Sequence, residues 1–259
     1  MKSDTPVEEE KLIMEKPASF SLPHYIIKIL FAVVILSTGF LYLVAHKKGA
    51  PEVATVKMVC GLILLWIVIG GTLMYRFRDL VREHIQRMPF DWRVKFALFS
   101  TTLALIEEAF AVSMTNLAPL LGVKTGEAYI TASTNYFDVV LFHSVVVFVP
   151  LFIAWAVLLS RYNFSPFSVF LLFGLMGIVC EASINPAGAL FGFAQWIFIY
   201  GLMVYLPAYC IPMERGALAV RWYHYMFAIP LAFLIAVPLL LPIMYVVGNV
   251  LQHPQGAHF

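Results

Sequence analysis

The sequence predicts an all-α, multi-pass integral membrane protein, a single bundle of about seven transmembrane helices with a cytoplasmic N-terminus and an outward C-terminus. Hydrophobic residues fill 61% of the 259 positions, charged residues only 12%, and mean hydropathy is +0.86, a balance foreign to soluble domains of this size. The apolar residues form continuous runs of roughly 20, enough to carry a helix across a ~30 Å hydrocarbon core. They lack the alternation of barrel strands, the other spanning structure that satisfies its own backbone in lipid. Lys and Arg, finally, gather on alternate sides of these runs.

Residues 1–24 read as a polar cytoplasmic leader containing Glu8, Glu9 and Glu10. It lacks the basic region, short apolar core and cleavage site of a secretory signal, so the first span is expected to act as the anchor. The spans are predicted near 25–45, 55–75, 96–118, 136–160, 166–184, 188–210 and 222–248, and residues 249–259 form a short outward tail. The Asn185-Pro186 break after the fifth span, the shortest, is compatible with a re-entrant turn over 182–190. Gly174 and Gly177, with Gly188 and Gly192, predict a close pairing of the fifth and sixth spans. Pro150, Pro207, Pro230, Pro238 and Pro242 predict kinks. Cys60, Cys180 and Cys210 fall inside spans without metal-binding spacing and read as packing residues.

Orientation follows from charge. Lys2, Lys11, Lys16, Arg76, Arg78, Arg82, Arg87, Arg93, Lys95, Arg161, Arg215 and Arg221 share the N-terminal side, against Lys47, Lys48, Lys57 and Lys124 on the other. Positive-inside bias makes the first side cytoplasmic, with the cell membrane as the expected location. The basic segment 76–95, with Phe90 and Trp92 beside Pro89, is expected to lie as an interfacial helix against anionic lipid headgroups. The expected partners are thus the bilayer and its lipids, not nucleic acid.

The chemistry resides in acids placed inside these runs. Glu107 and Glu108 sit mid-span, and neighbouring spans add Asp138, His143 and Glu181 without a Lys or Arg to balance them. Ionisable groups in hydrocarbon cost several kcal/mol by insertion scales and usually face a protein interior where they serve an ion, proton or substrate. At 100° per residue, Thr101, Glu108 and Thr115 share one stripe and Ser100 and Glu107 a parallel one, with Asn116 extending the polar face outward. Asn135 and Asp138 have the spacing of a helix cap with an acid at its third position. His143, five residues beyond Asp138, falls about 140° around an ideal helix, which predicts that the two do not share a face. Glu181 lies near a helix C-terminus, where a carboxylate opposes the dipole.

Glu107, Glu108, His143 and Glu181 are therefore the catalytic candidates, and Thr101, Thr115, Asn116, Asp138, Asn185 and Gln195 the substrate- or ion-binding ones. These groups are expected to converge on the outer half of the bundle. Charge balance leaves three options: protonated carboxyls, a bound divalent cation, or a cationic substrate. Oxygen-rich sets favour Mg, Ca or Mn, whereas carboxylates with His also suit Zn or Fe. No H-E-x-x-H, three-His set, P-loop, nucleotide-binding glycine motif or Ser-His-Asp order is read in the sequence, which argues against a metal site. The sequence thus leaves an intramembrane enzyme for a lipid or other hydrophobic substrate, a small proton- or cation-coupled transporter or channel for a cationic small molecule, and a non-catalytic assembly protein as competing functions.

Overall fold

The computed structural model describes residues 22–254 and 256–259, and among them the regular structure is helical, without a strand. The acidic leader, with Lys2, Lys11 and Lys16, lies outside the described residues apart from its last few positions. In chain order the helices are α1 (Leu22–Lys48), α2 (Ala50–Arg87), α3 (Trp92–Asn116), α4 (Tyr136–His143), α5 (Val145–Arg161), α6 (Pro166–Ile184), α7 (Pro186–Phe191), α8 (Phe193–Tyr209) and α9 (Trp222–Val250). Five are long and apolar enough to cross a membrane, and α4 with α5, bent by 47°, makes a sixth if the pair is one span.

The sixth predicted span, 188–210, arrives in two pieces. Asn185 ends α6 and caps the six-residue α7 by accepting from Gly188 N at 3.0 Å, and Gly192 then separates α7 from the 17-residue α8. The basic segment also differs from expectation. No breaker stands between Tyr75 and Arg87, so α2 runs on through it as one helix of 38 residues until Pro89. Asp91 then restarts the chain by capping α3, its carboxylate accepting from Arg93 N at 2.8 Å.

The core is built where α3, α5, α6 and α8 meet, with α1, α2 and α9 packed around them. Trp155, Phe152, Phe173, Met176 and Met203 are all but sealed from outside. The α6–α8 contact is the tightest: a Cβ on Gly174 would stand 2.7 Å from Ile197 Cα, and one on Gly201 2.7 Å from Phe170 O. Gly188 and Gly192 instead touch only their own neighbourhood, Asn185 and Trp196. Trp66 Nε1 donates to Ile199 O at 3.1 Å and ties α2 to α8. The outer surfaces of α1 and α9 remain apolar and open, with Ile29, Leu36, Leu43, Leu234 and Leu241 exposed, a surface suited to lipid rather than water.

The connections collect at two ends. At one, Gln86 Nε2 donates to Cys210 O at 3.2 Å and Arg215 reaches Leu159 O and Asn163 Oδ1 at 3.0 and 2.8 Å. At the other, Asn116 Nδ2 donates to Thr134 O at 3.1 Å, Ala54 and Met58 pack on Ala118, Val123 and Ala128, and His258 N donates to Ala132 O at 2.8 Å. The second end thus gathers the loop after α3 and the segment after α9.

Candidate functional site

The polar stripe of α3 faces the protein. Ser100, Glu107, Glu108 and Thr115 are buried, with Glu107 only 5% and Glu108 only 8% exposed. Ser144, at the junction of α4 and α5, lies beside the Glu108 carboxyl. Both glutamates lie within electrostatic reach of Glu181 on α6 and of Tyr200 on α8. The Tyr200 hydroxyl donates to Glu181 Oε1, a contact made possible because Gly177 leaves no side chain where the Tyr200 ring lies. Among the described residues none of these acids has a Lys or Arg ion-pair partner. Three carboxyls from two helices, one phenol and one hydroxyl thus make a single polar knot inside the bundle.

A second group begins one residue before Ser144. Asn135 caps α4 as its spacing predicts, its Oδ1 accepting from Phe137 N at 3.0 Å and Asp138 N at 3.4 Å. Beyond the cap the backbone winds as a π-turn over Val139–His143, closed by Ser144 N to Val139 O at 3.0 Å. This corrects the expectation that Asp138 and His143 occupy different faces. The wider i→i+5 turn carries His143 back over Asp138, and His143 Nε2 stands 3.8 Å from Asp138 Oδ2. Such single π-turns recur at functional sites because they re-aim side chains this way.

The segment after α9 completes the group. His253 Nε2 lies 2.6 Å from Asp138 Oδ1 and His258 Nε2 2.9 Å from Asp138 Oδ2. The Phe142 ring stacks on His253 at 4.4 Å between centroids, and Phe259 packs on Tyr129 at 4.6 Å, so the segment is anchored on both flanks of its histidines. Asp138, His143, His253 and His258 each offer one ligand atom, all within 4.8 Å of one another, and are, among the described residues, the group that could hold a metal ion.

The remaining candidates are engaged in local contacts. Thr101 Oγ1 donates to Ala97 O of its own helix at 2.8 Å. Thr115 Oγ1 accepts from Ile130 N at 3.2 Å and Thr131 Oγ1 at 2.8 Å, and with Asn116 it folds the 122–135 loop back over the C-terminal end of α3. Asn185 caps α7. Gln195 Nε2 donates to Ser37 Oγ and Thr38 Oγ1 at 2.9 and 3.0 Å, binding α8 to α1. Sequence reasoning missed Tyr200, Ser144, His253 and His258. The one signal available for the last two was the H-x-x-x-x-H spacing, the same interval that separates Asp138 from His143.

No protein-family model, no curated protein and no solved structure matches this chain. Chemically, the knot on α3, α6 and α8 supplies carboxyls for proton transfer in a water-poor interior. The Asp/His group supplies nitrogen and carboxylate ligands, and Ser144 lies between the two.

Proposed function

We propose that this chain is a seven-span protein of the cell membrane, N-terminus cytoplasmic and C-terminus outside, whose outer half is an enzyme site for a lipid or other hydrophobic substrate. In this reading α8, extended by α7, supplies the sixth of the seven crossings. What supports the catalytic reading is the burial of Glu107 and Glu108 against Glu181 and Tyr200 without a cationic partner among the described residues. Uncompensated carboxyls inside a membrane protein are costly and are characteristically functional. A protonated and an ionised carboxyl side by side form a general acid and a general base, and apolar walls suit a hydrophobic substrate. Glu107 and Glu108 would move the proton, Glu181 with Tyr200 would steady the charge, and His143 stands at the mouth.

Sealed liposomes test this. Wild-type protein is expected to turn over a lipid substrate without conducting cations, and Glu108→Gln to lose at least ~100-fold of the rate, the lower range of general acid–base contributions, while its melting temperature and elution volume stay unchanged. Cation flux that vanishes in Glu108→Gln would replace the enzyme with a transporter. Loss of neither activity, or loss of assembly alone, would leave only helix pairing for these acids.

At the cytoplasmic end, a cavity of about 380 Å³ combines two cations, Arg82 and Lys95, and one acid, Glu214, with the aromatic walls of Trp92, Phe96 and Phe99. That pairing suits an anionic lipid, headgroup on the cations and acyl chain along the rings.

A further inference from the structure

We propose that Asp138, His143, His253 and His258 bind one first-row transition-metal dication, of the zinc or iron(II) class, at the outer end of the bundle. The site goes beyond the acid–base reading of Glu107 and Glu108 and stands on its own ligands.

The first support is shape. The imidazoles of His143, His253 and His258 form a nearly equilateral triangle, with centroid separations of 5.0, 5.3 and 5.2 Å, and Asp138 meets all three. Zinc–nitrogen bonds of 2.0–2.1 Å in a tetrahedron place ligand atoms about 3.4 Å apart. The three distances to Asp138, 3.8, 2.6 and 2.9 Å, straddle that value and no two of the four ligand atoms lie more than 4.8 Å apart, so side-chain adjustments on the order of 1 Å seat an ion.

The second is a count of ring protons. His253 Nδ1 lies 3.0 Å from Pro254 O and His258 Nδ1 3.0 Å from Gly256 O, both acceptors only. A ring with its proton on Nδ1 has the orientation that backbone carbonyls commonly impose on metal-bound histidines. That leaves the Nε2 lone pairs aimed at the oxygens of Asp138, at 2.6 and 2.9 Å. Lone pair against carboxylate is repulsive unless a proton or a metal cation stands between them, and one dication answers both rings together. Asp138 Oδ2 and His143 Nε2 are buried atoms without a hydrogen-bond partner, both turned into the same space.

The third is construction. Of the four ligands, two hang on the π-turn of α4 and two on the segment after α9, and each pair has outside support: the Asn135 cap and Phe142 stacking for one, the His258 N to Ala132 O bond and the Phe259–Tyr129 contact for the other. Three imidazoles and one carboxylate form a borderline set that selects zinc, iron, nickel or copper over magnesium or calcium. Bound metal would fasten the outer segment to α4 across the bundle mouth.

The test is metal content. The protein, purified in detergent through a tag without histidines, is loaded with Zn(II), washed with a weak chelator and analysed by mass spectrometry for metal per chain. The expected result is about one equivalent for wild type and for Glu108→Gln. In His253→Ala/His258→Ala, whose changes lie outside the helices, affinity should fall by more than the ~10–100-fold typical of changes around a ligand shell. Co(II) in place of Zn(II) should give visible ligand-field bands in wild type that His143→Ala abolishes. No metal in wild type, or equal metal in the double variant, would overturn the site and leave a protonated His–Asp network. Because Glu108→Gln is read for metal and not turnover, a failed catalytic proposal and a failed metal proposal give different results.

Discussion

At the scale of single residues, this bundle depends on positions where nothing can be added. Gly174 faces Ile197 backbone, which cannot swing aside as a side chain would. Gly174→Ala should therefore lower stability by about 1–3 kcal/mol, the usual overpacking cost. Gly39→Ala, inside α1 with no atom within 4 Å of its new methyl, should leave stability unchanged or raise it by up to about 1 kcal/mol. Equal melting temperatures for the two variants in detergent would refute this picture of the α6–α8 contact. Tyr200 is a finer probe. Tyr200→Phe keeps the ring but removes the donor to Glu181, and a buried acceptor left without its partner costs about 1–3 kcal/mol. Melting should drop accordingly, and lipid turnover with it. A variant as stable and active as wild type would mean that the hydroxyl does not hold Glu181 in place.

At the scale of elements, helices were legible wherever composition alone decides. Leu22–Lys48 and Trp222–Val250 are apolar on nearly every side, and no competing structure satisfies their backbone in lipid. The buried face of α3 was legible too, since a 100° period places Ser100, Glu107, Glu108 and Thr115 together. The same period failed at α4, because a π-turn is set by tertiary contacts and leaves no mark in residue type. His253 escaped for a different reason: it lies 115 positions from Asp138, and nothing local to either predicts their meeting. The basic end of α2 carries its own expectation. If the Arg82–Lys95 cavity receives an anionic lipid, adding phosphatidylglycerol to detergent-purified protein should raise its melting temperature. Arg82→Ala/Lys95→Ala should abolish that rise while leaving the melting temperature without the lipid nearly unchanged. An identical rise in the double variant would remove the lipid from this cavity.

At the scale of the whole molecule, the two ends of the bundle carry opposite chemistry, and this polarity yields the last prediction. One end holds Arg82, Lys95 and Arg215 around the connections following α2, α5 and α8, where Gln86 meets Cys210 O and Arg215 meets Asn163. The other holds Asp138 and three histidines beneath the 122–135 loop, with the segment after α9 folded onto it. Moving the basic end outward would carry its cations across the bilayer against the bias that governs insertion. The Asp/His end should therefore face outward, and the substrate or metal should arrive from that side. In intact cells, a membrane-impermeant maleimide should label Ala257→Cys, beside His258, directly. Met213→Cys, 72% exposed at the opposite end, should react only after permeabilisation. Background from Cys60, Cys180 and Cys210 is removed by reading both against the unsubstituted chain. The reverse pattern would place the Asp/His group in the cytoplasm, and labelling of both sites in intact cells would mean that the chain does not cross the bilayer an odd number of times between the two ends.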